Sequence, residues 1–201
     1  MTYKTHREFS ISVGFLVAII LYNLQMTSIN YYLMLPIILS ISKYGALFPD
    51  VDHDWDKVKE KTILNFVINK IIHITGGKHR SWQTHSIDIV VVFTVVFSYI
   101  PWLLFSKGII DVVNREVLSL LVFSFFGGWI SHIISDMLTP EGVRLFFWNQ
   151  NIKIKFVPRK FLFISFKTGN GWEQLCYKIF RILNILLGCI AIVYPYLDIT
   201  V

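Results

Sequence analysis

In residues 127–142, GGWISHIISDMLTPEG, two side chains can hold a cation: His132 and Asp136, spaced i, i+4 so that both point from one helical face. The stretch is otherwise apolar enough for a bilayer, which penalises such groups unless they are used. The same residue types recur in four other short motifs. These are His6 in THREF, the run Asp50, Asp52, His53, Asp54 and Asp56 in ALFPDVDHDWD, His79, Arg80 and His85 in GGKHRSWQTHSID, and Glu173 in TGNGWEQ. Imidazole nitrogen with carboxylate oxygen suits zinc, and also manganese or iron. Such groups crowded together repel or lose their charge unless a divalent ion sits among them.

Apolar helices must position these motifs. Of the 201 residues 54% are apolar and only 16% charged, with a mean hydropathy of +0.57, which a soluble domain of this length does not show. The length allows one domain, residues 1–201, as an integral-membrane bundle. Apolar runs at 9–24, 31–48, 87–105, 117–138 and 182–197 give four or five spans, with five preferred. The second run contains Pro36, Lys43 and Gly45 and is expected to be kinked or only partly inserted. The first is read as an uncleaved helix, because no small-residue cleavage site follows it. Cys176 and Cys189 stand alone and form no metal motif.

With five spans and the N-terminus inside, Lys4, Arg7 and the basic residues of two long loops are cytoplasmic, and only Lys107 and Arg115 face outward. In that arrangement every His/Asp motif falls at the cytoplasmic end of a span, although none of those residues was used to orient the chain. The net charge of +6 then reads as attraction to anionic lipid rather than to nucleic acid. Residues 58–75 carry Ile63, Phe66, Val67 and Ile71 on one side and read as a helix lying in the interface. Residues 151–167 begin with strand alternation broken by Pro158 and read as a small cytoplasmic β-hairpin. The fold class is therefore mainly α. Plainer readings stand beside the chemical ones. Asp54 and Asp56 suit a cap and turn, His73 a structural place, Ser86 and Asp88 a helix cap, and Glu173 the close of a turn.

THREF, ALFPDVDH, HRSWQTHS, GGWISHIISDMLTPEGV and TGNGWEQ together resemble the motif series of the YdjM-type family, in order and approximate spacing from His6 to about Glu173. Two departures are Ser81-Trp82, in place of a small residue after the His-Arg pair, and Thr168-Gly169-Asn170, in place of TGS. The resemblance implies an inner-membrane, metal-dependent hydrolase, and the family also carries a LexA-binding label. A distant similarity to zinc-dependent phospholipase C hints at reaction type alone.

The expected ligands are His6, Asp50, His53, His79, His85, His132 and Asp136, holding one to three ions, zinc first. Asp52 or Glu173 is expected as general base or further ligand. Arg80 either grips a phosphate oxygen or anchors a headgroup. The expected reaction is attack of metal-activated water on a lipid phosphoester at the inner leaflet of a bacterial inner membrane. The rival is a non-catalytic membrane protein whose metal is structural or sensory and which tethers a cytosolic regulator. A metal transporter is disfavoured because the polar groups gather at one end of the spans.

Overall fold

The computed structural model describes residues 2–23, 30–139, 142–149, 151–155 and 171–196. Helices α1 (Tyr3–Asn23), α2 (Tyr31–Leu47), α5 (Ile87–Ser106), α6 (Val112–Met137) and α7 (Gly171–Val193) are the long elements. Between them lie α3 (Ile63–Ile74) and the single turn α4 (Trp82–His85). Among the described residues five helical segments are long and apolar enough to cross a membrane: Tyr3–Asn23, Tyr31–Asp52, Ile87–Ser106, Val112–Met137 and Gly171–Tyr196. Large apolar side chains such as Leu33, Val95, Ile182 and Ile185 point away from the bundle, as lipid-facing positions do.

Three helices begin earlier than their apolar runs: α1 at Tyr3, α6 at Val112 and α7 at Gly171. Hydropathy cannot register a helix end made of polar residues. His6 therefore lies within the first turns of α1 rather than ahead of it, and Glu173 lies in the first turn of α7. The second span is not broken at Pro36. Pro36 sits inside a continuous helix, and Ser40 Oγ donates to its carbonyl at 2.7 Å. The helix then tightens into a 3₁₀ segment, Phe48–Asp52, with Pro49 in its first turn. That change of winding sets Asp50 and Asp52 on different headings.

Small residues bring α2, α6 and α1 into close contact, as is common between membrane helices. A Cβ on Gly45 would fall on the Phe125 carbonyl, and one on Gly128 on the Ser42 carbonyl, so α2 and α6 meet backbone to backbone. Ser42 Oγ donates to the Ser10 carbonyl at 2.9 Å, tying α2 to α1. Toward one end of the bundle, Phe126, Trp129, Ile133 and Met137 of α6 pack with Val90 of α5 and with Val143 and Leu145.

Helix α3 turns Asn65, Asn69 and Ile72 inward and leaves Ile63, Phe66, Val67, Ile71 and Ile74 exposed. An apolar face turned outward beside a membrane end fits the expected interfacial helix. The small sheet differs from expectation. Among the described residues Lys153–Ile154 (β2) pairs antiparallel with Val143–Arg144 (β1), a segment that precedes the expected hairpin. The rest of that expected hairpin, from residue 156, lies outside the described residues, as does the loop Thr168-Gly169-Asn170.

Candidate metal centre

Four helices and two loops deliver their His and Asp side chains to one end of the bundle. His6 comes from α1, Asp50 and Asp52 from the 3₁₀ segment after α2, and His132 and Asp136 from the end of α6. His53 follows the 3₁₀ segment, His79 and Arg80 lie in the turn before α4, and His85 ends α4. His6, Asp52, His85, His132 and Asp136 are all at most 2% exposed.

Three of the buried imidazoles are held by Nδ1. His132 Nδ1 donates to the Ala46 carbonyl at 2.6 Å, a contact that exists because α2 and α6 pack so closely. His6 Nδ1 meets Ser135 Oγ, whose own proton goes to the His132 carbonyl at 2.8 Å, so the serine accepts from His6. His85 Nδ1 faces Thr84 Oγ1 at 2.9 Å and Asp52 Oδ2 at 3.2 Å. Fixing Nδ1–H in this way leaves the Nε2 lone pair for an ion, the usual arrangement behind a metal-ligating histidine. Among the described residues Nε2 of His85 and of His132 is buried with no hydrogen-bond partner.

Those Nε2 atoms converge on two carboxylates. His6 Nε2 is 3.4 Å from Asp136 Oδ1, and His85 and His132 Nε2 are each 3.8 Å from Asp136 Oδ2. His132 Nε2 is also 3.7 Å from Asp50 Oδ1. These gaps are too long for good hydrogen bonds. Donors sharing a tetrahedral ion at about 2.0–2.1 Å lie roughly 3.3 Å apart, and farther in more open geometries. The residues present therefore fit a cation.

Three groups each place their ligand atoms within 4.8 Å of one another: His6, His132 and Asp136; Asp50, His85 and His132; Asp50, His53 and His79. The first two share His132, and all their members but Asp50 are buried. The third is more open and is joined to the second by Asp50. In it, His53 Nε2 lies 3.9 Å from Asp50 Oδ1, and the His53 and His79 rings stack with centroids 3.5 Å apart. Burial first, then the neighbouring His79, pushes the His53 pKa down, which keeps that imidazole neutral and able to ligate.

All seven expected ligands are thus brought together. Asp52 and Glu173, expected as general base or further ligand, each have protein partners. Asp52 Oδ1 takes His79 Nδ1 at 3.0 Å, and Oδ2 takes the Arg80 N–H at 2.9 Å and Thr84 Oγ1 at 2.6 Å. With these donors and His85 around it, a fully buried Asp52 is held chiefly by contacts to protein groups. Glu173 accepts from Thr5 Oγ1 at 3.0 Å and from the Thr2 N–H, so it braces the first turn of α1, the turn that carries His6. Arg80 Nε lies 3.1 Å from Asp136 Oδ2. Its φ of +62° is a left-handed backbone setting that non-glycine residues seldom adopt, a strain typical of functional sites.

The orienting residues Ala46, Thr84 and Ser135 were not singled out from the sequence, although Thr84 and Ser135 stand inside the recognised motifs. Asn69 gave no signal at all. Its Nδ2 donates to the Val51 carbonyl at 2.6 Å and to the His53 carbonyl at 2.8 Å, gripping the loop on both sides of Asp52.

In front of the donors opens a cleft of about 250 Å³, lined by His6, Asp50, His53, His79, Arg80 and Asp136, with Lys57 and Lys59 at its rim. The class of protein this defines is a multi-pass membrane protein with a buried His/Asp centre able to hold metal at one end of its helices. The chain belongs to the YdjM inner membrane protein family, whose model matches residues 1–197. No curated protein and no solved structure matches it.

Proposed function

We propose that the chain is a membrane-embedded metal-dependent hydrolase that cleaves a phosphoester of a lipid at the cytoplasmic leaflet. The observation that carries this reading is the convergence of three Nδ1-tethered histidines, His6, His85 and His132, on Asp136 and Asp50 beside an open cleft. His6, His132 and Asp136 would hold one ion, and Asp50, His53 and His79 a second, with His85 beside His132 and Asp50. Zinc is the first candidate for a nitrogen-rich set, with manganese or iron next. A bound ion of this kind supplies a water of lowered pKa and polarises a phosphoryl oxygen.

The protein side chains do the rest. Asp52 orients His79 and His85. Arg80 and the rim lysines Lys57 and Lys59 bind the phosphate oxygens and draw anionic headgroups to the cleft. Asp52 and Glu173 are committed elsewhere. Asp50, whose side chain is 21% exposed, is the carboxylate of the ligand set that lines the cleft. The exposed apolar face of α3 and the exposed Trp82, Trp148 and Trp172 suit a site at the level of the headgroups. The excess of basic residues in the two long loops supports the cytoplasmic side for that leaflet.

A structural or sensory centre that tethers a cytosolic regulator is the competing reading. A structural zinc site is closed, whereas a catalytic one keeps an accessible position. The cleft in front of His53 and His79 favours the catalytic reading. The test is hydrolysis of phosphatidic acid and lysophosphatidic acid, read as released phosphate, and of phosphatidylglycerol, read as released glycerol or glycerol phosphate, by detergent-purified, zinc-loaded protein. The wild type is expected to turn over one of them. His132→Ala, and the milder His79→Ala at an exposed ligand, are expected to abolish turnover with the helical fold kept. A wild type that leaves every lipid intact, or variants that melt early without any change in turnover, would count against the hydrolase.

A further inference from the structure

A second cleft, of about 570 Å³, lies on the far side of His79 and Arg80, which line both cavities. Its size is that of a small-molecule site. Lys78, Arg144 and Lys153 line it, and no carboxylate appears among the described residues that do. Two features of its walls lack an explanation within the fold. Arg144 and Lys153 are direct cross-strand partners in the β1–β2 pair, where like charges repel. Ser81 Oγ and Gln83 Oε1, also in the lining, are buried and have no hydrogen-bond partner among the described residues. Gly142, at φ +62°, lets the chain pass so tightly that a Cβ there would stand 2.7 Å from the Ile154 carbonyl, which holds the two basic strands together. A bound oxyanion answers both features. It screens the facing cations, and it accepts from Ser81 and from the amide of Gln83 once that side chain is turned.

We infer that this cleft is an anion subsite, which takes the second phosphate of a diphosphate-class ligand whose first phosphate lies at the metal centre. The assignment of the first phosphate rests on the hydrolase reading above. The anion subsite itself rests on Lys78, Ser81, Gln83, Arg144 and Lys153. The substrate class it selects is a phosphorylated headgroup with two adjacent anionic centres, in preference to a simple phosphomonoester.

The experiment is calorimetric titration of the full-length protein with inorganic pyrophosphate and inorganic phosphate, first stripped of metal and then zinc-loaded. Metal-free wild type is expected to bind pyrophosphate, and Arg144→Gln/Lys153→Gln to weaken that binding by about tenfold or more. Arg144→Lys/Lys153→Arg, which keeps both charges, is expected to retain most of it. Lys78→Gln is the second probe, needed if the double variant melts early. Zinc-loaded wild type is expected to prefer pyrophosphate to phosphate, and the Gln variants to lose that preference. Nanodiscs of phosphatidylcholine carrying farnesyl diphosphate separate the two sources of the ligand. Competition with pyrophosphate identifies a lipid carrier, and its absence a soluble diphosphate. Folded Gln variants that bind pyrophosphate as tightly as wild type, metal-free and loaded, overturn the subsite. Zinc that alters neither titration, while the Gln variants still weaken metal-free binding, counts against the metal reading and leaves the subsite standing.

Discussion

His85 is pulled two ways. Burial alone lowers an imidazole pKa, but Asp52, and behind it Asp136 and Asp50, outweigh burial and raise it. In the metal-free protein the protonated ring stabilises the fold at pH values below the ordinary imidazole value of about 6.5. That contribution is lost as pH rises through the raised value in the folded state. A cation needs the neutral ring, so acid acts in the opposite sense on the loaded protein. The expected outcome is that the gain in melting temperature on adding zinc shrinks as pH falls from about 8 to about 5. Melting curves with zinc and with chelator across that range check it, and a gain that is constant or grows toward acid would speak against His85 as a ligand.

The close pairing of α2 and α6 links the helix scale to the site, because it sets the Ala46 carbonyl against His132 Nδ1 at 2.6 Å. Gly128→Ala must push the helices apart at the Ser42 carbonyl. The expected cost is about 1–3 kcal/mol of stability, together with weaker zinc binding. Its neighbour Gly127 is the control. A Cβ there would find Val17 Cγ2 at 3.5 Å and Val13 Cγ1 at 3.6 Å, ordinary contacts, so Gly127→Ala should leave melting and zinc affinity close to wild type. Equal effects of the two substitutions would contradict the packing argument.

At this scale the sequence was readable where one periodicity or one residue type decides the outcome. The spans, the outward apolar face of α3 and the gathering of seven His and Asp side chains all belong to that kind. It was silent where partners decide. Asp52 and Glu173 have the same chemistry as a catalytic base, and only Thr84, His79 and His85 around the one, and Thr2 and Thr5 around the other, show that each is already engaged. The strand partner of Lys153–Ile154 was missed because Val143–Arg144 is too short to carry an alternation.

Across the whole molecule the two ends of the bundle differ in kind. One end carries the His/Asp centre, the basic clefts and α3. The other gathers Tyr22, Tyr31, Tyr32, Tyr194 and Tyr196 in edge-on and tilted contacts, an aromatic belt of the sort found at a membrane surface. Candidate ligands separated by up to 130 positions, His6 to Asp136, meet only because the helices alternate in direction and close tightly. If that meeting place holds cations, the folded protein must carry them in fixed proportion. The most direct measurement is the metal content of detergent-purified protein by mass spectrometry, for the wild type and for His85→Ala and His132→Ala, each checked for its helical content. The account predicts about two zinc-class ions per wild-type chain and fewer in both folded variants. A folded wild type that takes up no divalent ion when offered zinc, manganese or iron, or variants that bind as many as wild type, would contradict it.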